Sequence, residues 1–238
     1  MISGAFSAPY LEAVPAFERA TRNRVVTVSG ASMGGAPDSI PVRLERGEPA
    51  DVLIMAASAL DDLIRQGKAV SGSRVDLVKS SIGMAVRAGA RRPDISSVDA
   101  LKRTLLDAKS VAYSASASGA YISTELFQRL GIADEMRSRS RRIESERVGA
   151  VIARGDAEIG FQQISELLPI EGITYVGPLP AEVQRVTVFS AGIAASSKQR
   201  EAARGLIAFL ASPAVTAAAV KSGLEPVATS PEVRKSQR

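Results

Sequence analysis

The sequence predicts an α/β protein, a class set by three observations. Short apolar runs alternate with stretches of helical periodicity, which argues for βα units and largely parallel sheets. The helical stretches carry their own start and stop residues. The 238 residues contain no internal repeat or low-complexity tract, and they suffice for one large domain or two small ones.

Taken in order, the expected strands are Val25–Val28, Asp51–Met55, Ile82–Val86, Ser110–Tyr113, Glu158–Gln162, Thr174–Val176 and Val186–Ile193. Each is a short run rich in apolar and β-branched residues, bounded by polar or Gly-containing segments. Ser96 and Asp99 read as a capping box that opens a helix with Leu101, Leu105 and Ala108 on one face. Ile122, Leu126 and Leu130 recur every four residues in a helix over Ala120–Leu130, and Gly131 supplies its left-handed stop. A further helix is expected over Val148–Arg154. Near the end, Glu201–Ala211 carries Leu206, Phe209 and Leu210, and Pro213 terminates it. Another helix follows from Ala214 to Ser222, and the basic tail from Thr229 is expected to fray.

Composition excludes several kinds of chemistry. The chain has no His, no Cys and no Trp. Thiolate nucleophiles, Ser-His-Asp catalysis, zinc sites built on His or Cys, iron–sulfur clusters and disulfides are therefore ruled out. Any catalysis must use Asp, Glu, Lys, Tyr, Ser or Arg, and no metal or other cofactor is expected. The net charge of +5 invites a nucleic-acid reading. With 4% aromatic residues and scattered basic ones, however, that reading is set aside, and a field that attracts small anions is expected instead. The densest basic stretch, Met136–Arg142, reads as solvated surface between two elements. No apolar run approaches the roughly 18–20 residues needed to span a bilayer, so no membrane insertion is expected. No basic start, apolar stretch and small-residue cleavage site occur together. The expected compartment is the periplasm if the sequence is a mature or trimmed form, and the cytoplasm if Met1 is the true start.

Four short motifs follow one another along the chain: Gly4-Ala5-Phe6-Ser7-Ala8, Gly47-Glu48-Pro49-Ala50-Asp51-Val52, Gly155-Asp156-Ala157-Glu158-Ile159-Gly160 and Ala211-Ser212-Pro213-Ala214. In order and spacing they resemble the molybdate-binding type of periplasmic solute-binding protein over nearly the whole chain. The first stands where that family has a strand ending in a small-residue Ala-Ser turn before a helix. The second is similar to its Gly-x-Pro-Ala-Asp-Val, and the third to its Gly-Glu-Ala-Asp-x-Gly. The fourth resembles its Ser-Pro-Glu-Ala junction. The resemblance implies a two-lobed, type II periplasmic-binding-protein-like fold with two interlobe crossings, near Ser80–Val86 and Arg185–Ile193. Lobe one is then residues 1–80 and 190–238, lobe two is residues 81–189, and the ligand cleft lies between them.

Helix N-termini and hydroxyls hold an anion in such a cleft without a full countercharge. The resemblance places the family's first two pocket hydroxyls on Ser7 and Ser32, although Ser7 reads equally as a plain helix cap. Tyr113-Ser114-Ala115-Ser116-Ala117-Ser118-Gly119 is the second-lobe counterpart, with Ser116, Ser118 and Gly119 as candidates. Arg147 stands where the family contributes backbone to the ligand, and Gln163 where molybdate binders place a tyrosine. These departures, with Pro37 and Pro41 in a lengthened Ser32–Gly47 stretch, point from a tetrahedral oxyanion toward an organic acid that a guanidinium grips bidentately.

The expected activity is that of a solute receptor of an ABC-type importer. The receptor, a monomer, takes a molybdate-like oxyanion or a small di- or tricarboxylate and has an ABC permease as its partner. The alternative is an enzyme on the same scaffold. Aconitate isomerase resembles this branch, and its allylic proton shift needs no His, Cys, metal or nucleotide. Glu144 and Glu146 are the candidate bases for that chemistry.

Overall fold

The computed structural model describes residues 1–227, so the tail from Thr229 lies outside the described residues. The chain opens with a single 3-10 turn, Gly4–Phe6, that runs into helix α1 (Ser7–Thr21). Helix α2 (Ile40–Glu45), strand β1 (Val52–Ala56) and helix α3 (Ala57–Arg65) follow. Strand β2 (Val75–Arg87) is 13 residues long and is the axis of the molecule. Its first half pairs antiparallel with β7 (Val186–Ile193) and β8 (Glu225–Pro226), and β7 pairs in turn with β1. Its second half pairs antiparallel with β5 (Ile159–Gln163) and β6 (Ile173–Pro178). Strand β5 then runs parallel to β3 (Val111–Ser114), which is parallel to β4 (Ser140–Ile143).

Besides a third, smaller cluster of Ala112, Ile143, Val148, Val151, Ile152 and Ala157, two large hydrophobic cores flank this axis. One is built from residues between Ile2 and Val78 together with residues between Phe189 and Leu224. Helices α10 (Arg200–Leu210) and α11 (Pro213–Lys221) belong to it through Leu206, Ile207, Leu210, Val215 and Ala219, and Phe209 meets Phe17 of α1 at 5.6 Å between ring centroids. The second core lies between Ile82 and Val183 and centres on Met84, Leu101, Leu105 and Phe161. It is covered by α4 (Val98–Asp107) and by the helical run α5 (Ala117–Tyr121), a π-helical turn (Ile122–Leu126) and α6 (Phe127–Arg129). Helix α7 (Ala133–Arg137) leads into β4, α8 (Val148–Arg154) precedes β5, and α9 (Ile164–Leu167) follows it. The result is a mixed α/β fold with two lobes. Among the described residues, no single helix is long and apolar enough to cross a membrane.

The structure corrects several sequence expectations. The sheets are mixed, because β2 and β7 run antiparallel to their neighbours as they pass between the two cores. Val25–Val28 does not form a regular strand. Only Ile2 pairs there, through Ile2 N–H to the Val28 carbonyl (2.9 Å) and Gly30 N–H to the Ile2 carbonyl (3.0 Å). Val26 is 79% exposed, so this β-branched run has no sheet face to cover. Ser97, rather than Ser96, caps α4, its Oγ accepting from Ala100 N–H at 3.2 Å. Ser96 instead donates its N–H to Asp94 Oδ1. The arginine-rich stretch hides β4, a strand at the end of its sheet that exposes Arg141 and Arg142 and buries Ile143. Charge on such a strand is ordinary, since it keeps an unpaired edge in water. Pro213 opens α11 at its first turn, where its missing N–H costs nothing.

Candidate functional site

A cleft of about 220 Å³ opens between the two cores. From the first core side it is lined by Ser3, Gly4, Ser7, Ser32 and Asp38, and from the second by Ser116, Ser118, Gln162 and Glu166. Arg147, Gln163, Glu144 and Glu146 complete the predicted set that borders it. Residues far apart in sequence meet here because most lie just beyond the end of a sheet strand or at the start of a helix, with Ser32 and Asp38 supplied by the irregular segment before α2.

The hydroxyls differ in how free they are. Ser7 begins α1 and donates to the Ser3 carbonyl at 3.3 Å, so it does not act as a side-chain cap. Ser32 Oγ accepts from Ala56 N–H at 2.9 Å, satisfying a backbone donor at the start of α3 while its own proton stays available to a ligand. Ser116 stands at the N-cap of α5 without a side-chain cap bond. The hydroxyl of Ser118 lies 3.0 Å from that of Ser114. Gly119 is not among the lining residues. A Cβ there would lie 1.6 Å from the Ser114 carbonyl oxygen, so this glycine serves the close approach of helix to strand.

Gln163 borders the cleft with both ends of its amide occupied. Its nitrogen donates to Ser80 Oγ at 2.8 Å, and its oxygen accepts from Thr187 Oγ1 at 3.2 Å. Ser80 and Thr187 belong to β2 and β7, so this amide ties the strands that pass between the cores. Glu144 pairs with Arg142 at 3.0 Å, and Glu146 accepts from both guanidinium nitrogens of Arg154 at 2.9 and 3.1 Å. Those hydrogen bonds hold the Glu146 carboxyl below its ordinary range. As bases both are therefore poor, being exposed and committed to arginines. Arg147 itself takes part in no ion pair among the described residues and is exposed at the rim.

The residue the sequence did not flag is Glu166. It sits on α9, one turn beyond the end of β5, where its Oε1 accepts from Gln162 Nε2 at 3.1 Å. Gln162 Oε1 accepts in turn from Val148 N–H at 2.9 Å, which fixes the amide's orientation. Protein packs around the carboxyl, and only partial access remains, through the cleft. Burial pushes its pKa up to about 7, against the opposing pull of the Arg147 guanidinium and the Gln162 amide. Gly4 makes the room, since a Cβ on it would lie 2.0 Å from Glu166 Oε1. The sequence signal was faint: a lone acid in the Ile164-Ser165-Glu166-Leu167-Leu168 turn, four residues after Gln162. The two sides of the cleft also touch at the rim, where Ser145 Oγ donates to Asp38 Oδ1 at 3.2 Å.

The site can thus offer neutral hydroxyls, one cation and one carboxyl poised to give or take a proton near neutral pH. A model of bacterial extracellular solute-binding proteins matches residues 1–225. A protein of Pseudomonas sp. named aconitate isomerase is 47% identical over 229 residues, which is 96% of this chain and 87% of that protein. Among solved structures, the Azotobacter vinelandii periplasmic molybdate-binding protein superposes with a TM-score of 0.71 at 21% identity, covering 96% of this chain and 98% of that one. A periplasmic binding protein of A. tumefaciens in complex with agropinic acid gives 0.71 at 12% identity, over 94% of this chain and 81% of that one. These structural likenesses establish the two-lobed fold, and the match along nearly the whole sequence shows that the chain belongs to the family of bacterial extracellular solute-binding proteins.

Proposed function

We propose that this protein is an isomerase of a small tricarboxylate, interconverting cis- and trans-aconitate in the cleft with Glu166 as the acid/base. The observation that carries the reading is the carboxyl of Glu166, buried at the cleft with a pKa of about 7. A plain anion receptor gains nothing from such a group, because a carboxyl that ionises near neutral pH repels the ligand. A proton-transfer enzyme needs it, since a pKa near the working pH lets one residue both accept and return a proton. The 47% identity to a protein named aconitate isomerase supports the same substrate.

The chemistry balances without a cofactor. Ionised Glu166 removes a proton from the methylene carbon of aconitate, and the C–H electrons form the new double bond. The old double bond's electrons move onto the former vinylic carbon, which takes the proton back from Glu166. The allylic shift exchanges the two ends of the nearly symmetric acid and so its cis and trans forms. Arg147 supplies the cation for one carboxylate, while Ser32 and Ser116, whose hydroxyl protons are not committed within the protein, donate to the others. The volume of about 220 Å³ lies below the roughly 300–1,000 Å³ of drug-sized sites, as suits a small acid.

Within this proposal, residues 1–80 and, among the described residues, 190–227 form one lobe and residues 81–189 the other, with closure about β2 and β7 bringing Arg147 over the substrate. The family's extracellular address is carried over to this chain. A receptor role requires an ABC permease as partner, whereas the isomerase requires none. Calorimetry at neutral pH and moderate salt is expected to show trans-aconitate and citrate binding more tightly than molybdate. Tight molybdate binding with no response to either carboxylate overturns the proposal.

A further inference from the structure

Resting on the isomerase reading, we infer that Gln162 is a positioning residue that commits Oε1 of Glu166 to accepting a hydrogen bond and leaves proton exchange to Oε2. Gln162 is buried on β5, and its amide has only one workable orientation. Val148 N–H can only donate, so the Gln162 oxygen must face it, at 2.9 Å. The amide nitrogen is then turned to Glu166 Oε1 at 3.1 Å. An NH₂ group can only donate as well, so Oε1 is held as the carbonyl-type acceptor, the better one of a protonated carboxyl, and the proton is favoured on Oε2.

The other oxygen is left to the reaction. Among the described residues Oε2 accepts no hydrogen bond from the protein, and it is not among the buried atoms without a partner, which are the hydroxyls of Ser3 and Ser165. It is therefore the oxygen with access to the cleft. Without this lock a protonated carboxyl distributes its proton over both oxygens, and only one placement faces the substrate carbon. The charged group facing Glu166 is Arg147, from the start of α8. The N-terminal turn faces it with Gly4 and β5 with the neutral Gln162. The donor from Gln162 also favours the ionised form, which keeps the carboxyl from being raised further.

The test combines the wild-type protein with one variant. In the wild type, the side-chain NH₂ resonances of Gln162 should titrate with the same midpoint as the Glu166 carboxyl carbon followed by NMR. In Gln162→Met that carboxyl midpoint should move up by about half a pH unit or more. The acidic limb of kcat/KM for trans-aconitate should follow it, and kcat should fall about 10-fold with KM changed less than about 3-fold. Amide resonances that ignore the Glu166 titration overturn the inference without any variant, and so does a variant midpoint that stays in place whatever kcat does. If the wild type does not turn over aconitate but the two titrations remain coupled and shift together, the isomerase reading falls while the placement of the Glu166 proton stands.

Discussion

Replacing Glu166 by Gln is expected to lower aconitate turnover by about 10²–10⁴-fold while leaving binding of trans-aconitate within a few-fold of wild type. Gln has the shape of the protonated acid, and at neutral pH about half of the wild-type population already carries that proton. Binding therefore survives, and the proton transfer does not. Stability supplies an independent reading of the same group. Burial raises the folded-state pKa from 4.5 to about 7, so the folded protein holds this proton more tightly than the unfolded chain. The resulting stabilisation is complete below about pH 4.5 and is lost as the pH rises through about 7. At pH 8 the wild type holds a buried charge that Glu166→Gln lacks. The variant should then be more stable by about 2 kcal/mol, a figure reduced for the partial access through the cleft, and the difference should vanish near pH 4. Denaturant melts at the two pH values check this. A variant that is equally active shows that Glu166 is not the base, and one equally stable at both pH values shows that its carboxyl is not a buried, strained one.

The second large effect is expected from Gly4→Ala. The added methyl would stand 2.0 Å from Glu166 Oε1 and 2.9 Å from its carboxyl carbon, well inside contact distance. What it meets is the far end of a flexible side chain, so Glu166 swings away and the fold survives. The Gln162 hydrogen bond is broken in the process, and the carboxylate moves by an ångström or more. A displacement of that size at a reacting group costs about 100-fold in rate. The expected result is a soluble variant with a near-normal melting temperature, retained ligand binding and kcat reduced by about two orders of magnitude. Full activity in a folded Gly4→Ala protein contradicts the geometry assigned to the site.

What the sequence disclosed follows what local patterns can encode. The apolar run Ile82–Val86 is buried throughout and reads as strand, but the passage of β2 and β7 between the cores was implied by the family resemblance, since Val186–Ile193 mixes polar residues and is buried only in its second half. The small-residue and serine turns placed Ser7, Ser32, Ser116 and Ser118 at one cleft although they come from distant segments. The failures have equally definite causes. Val25–Val28 has strand propensity but no partner beyond Ile2, and pairing is a property of the fold rather than of the run. The Arg-rich Ser140–Ile143 strand lies at the end of its sheet, where charge is compatible with pairing and masks it. That Ser80 and Thr187 engage the amide of Gln163, a candidate ligand group that does border the cleft, is visible only in the tertiary arrangement. Glu166 was passed over in favour of Glu144 and Glu146 because the sequence shows which residues can ionise, but not which are buried. Burial at the cleft raises the carboxyl of Glu166, whereas Glu144 and Glu146 stand at the surface paired to arginines.

Proton NMR of trans-aconitate in deuterated buffer at pH 7.5, with catalytic wild-type protein, tests the central claim most directly. The resonances of cis-aconitate should grow until the two isomers reach their equilibrium ratio. The same ratio should be reached from the cis side, and neither change should occur with Glu166→Gln. An isomer ratio that stays fixed with wild-type protein, under conditions where calorimetry shows the acid to be bound, contradicts the isomerase and leaves a receptor.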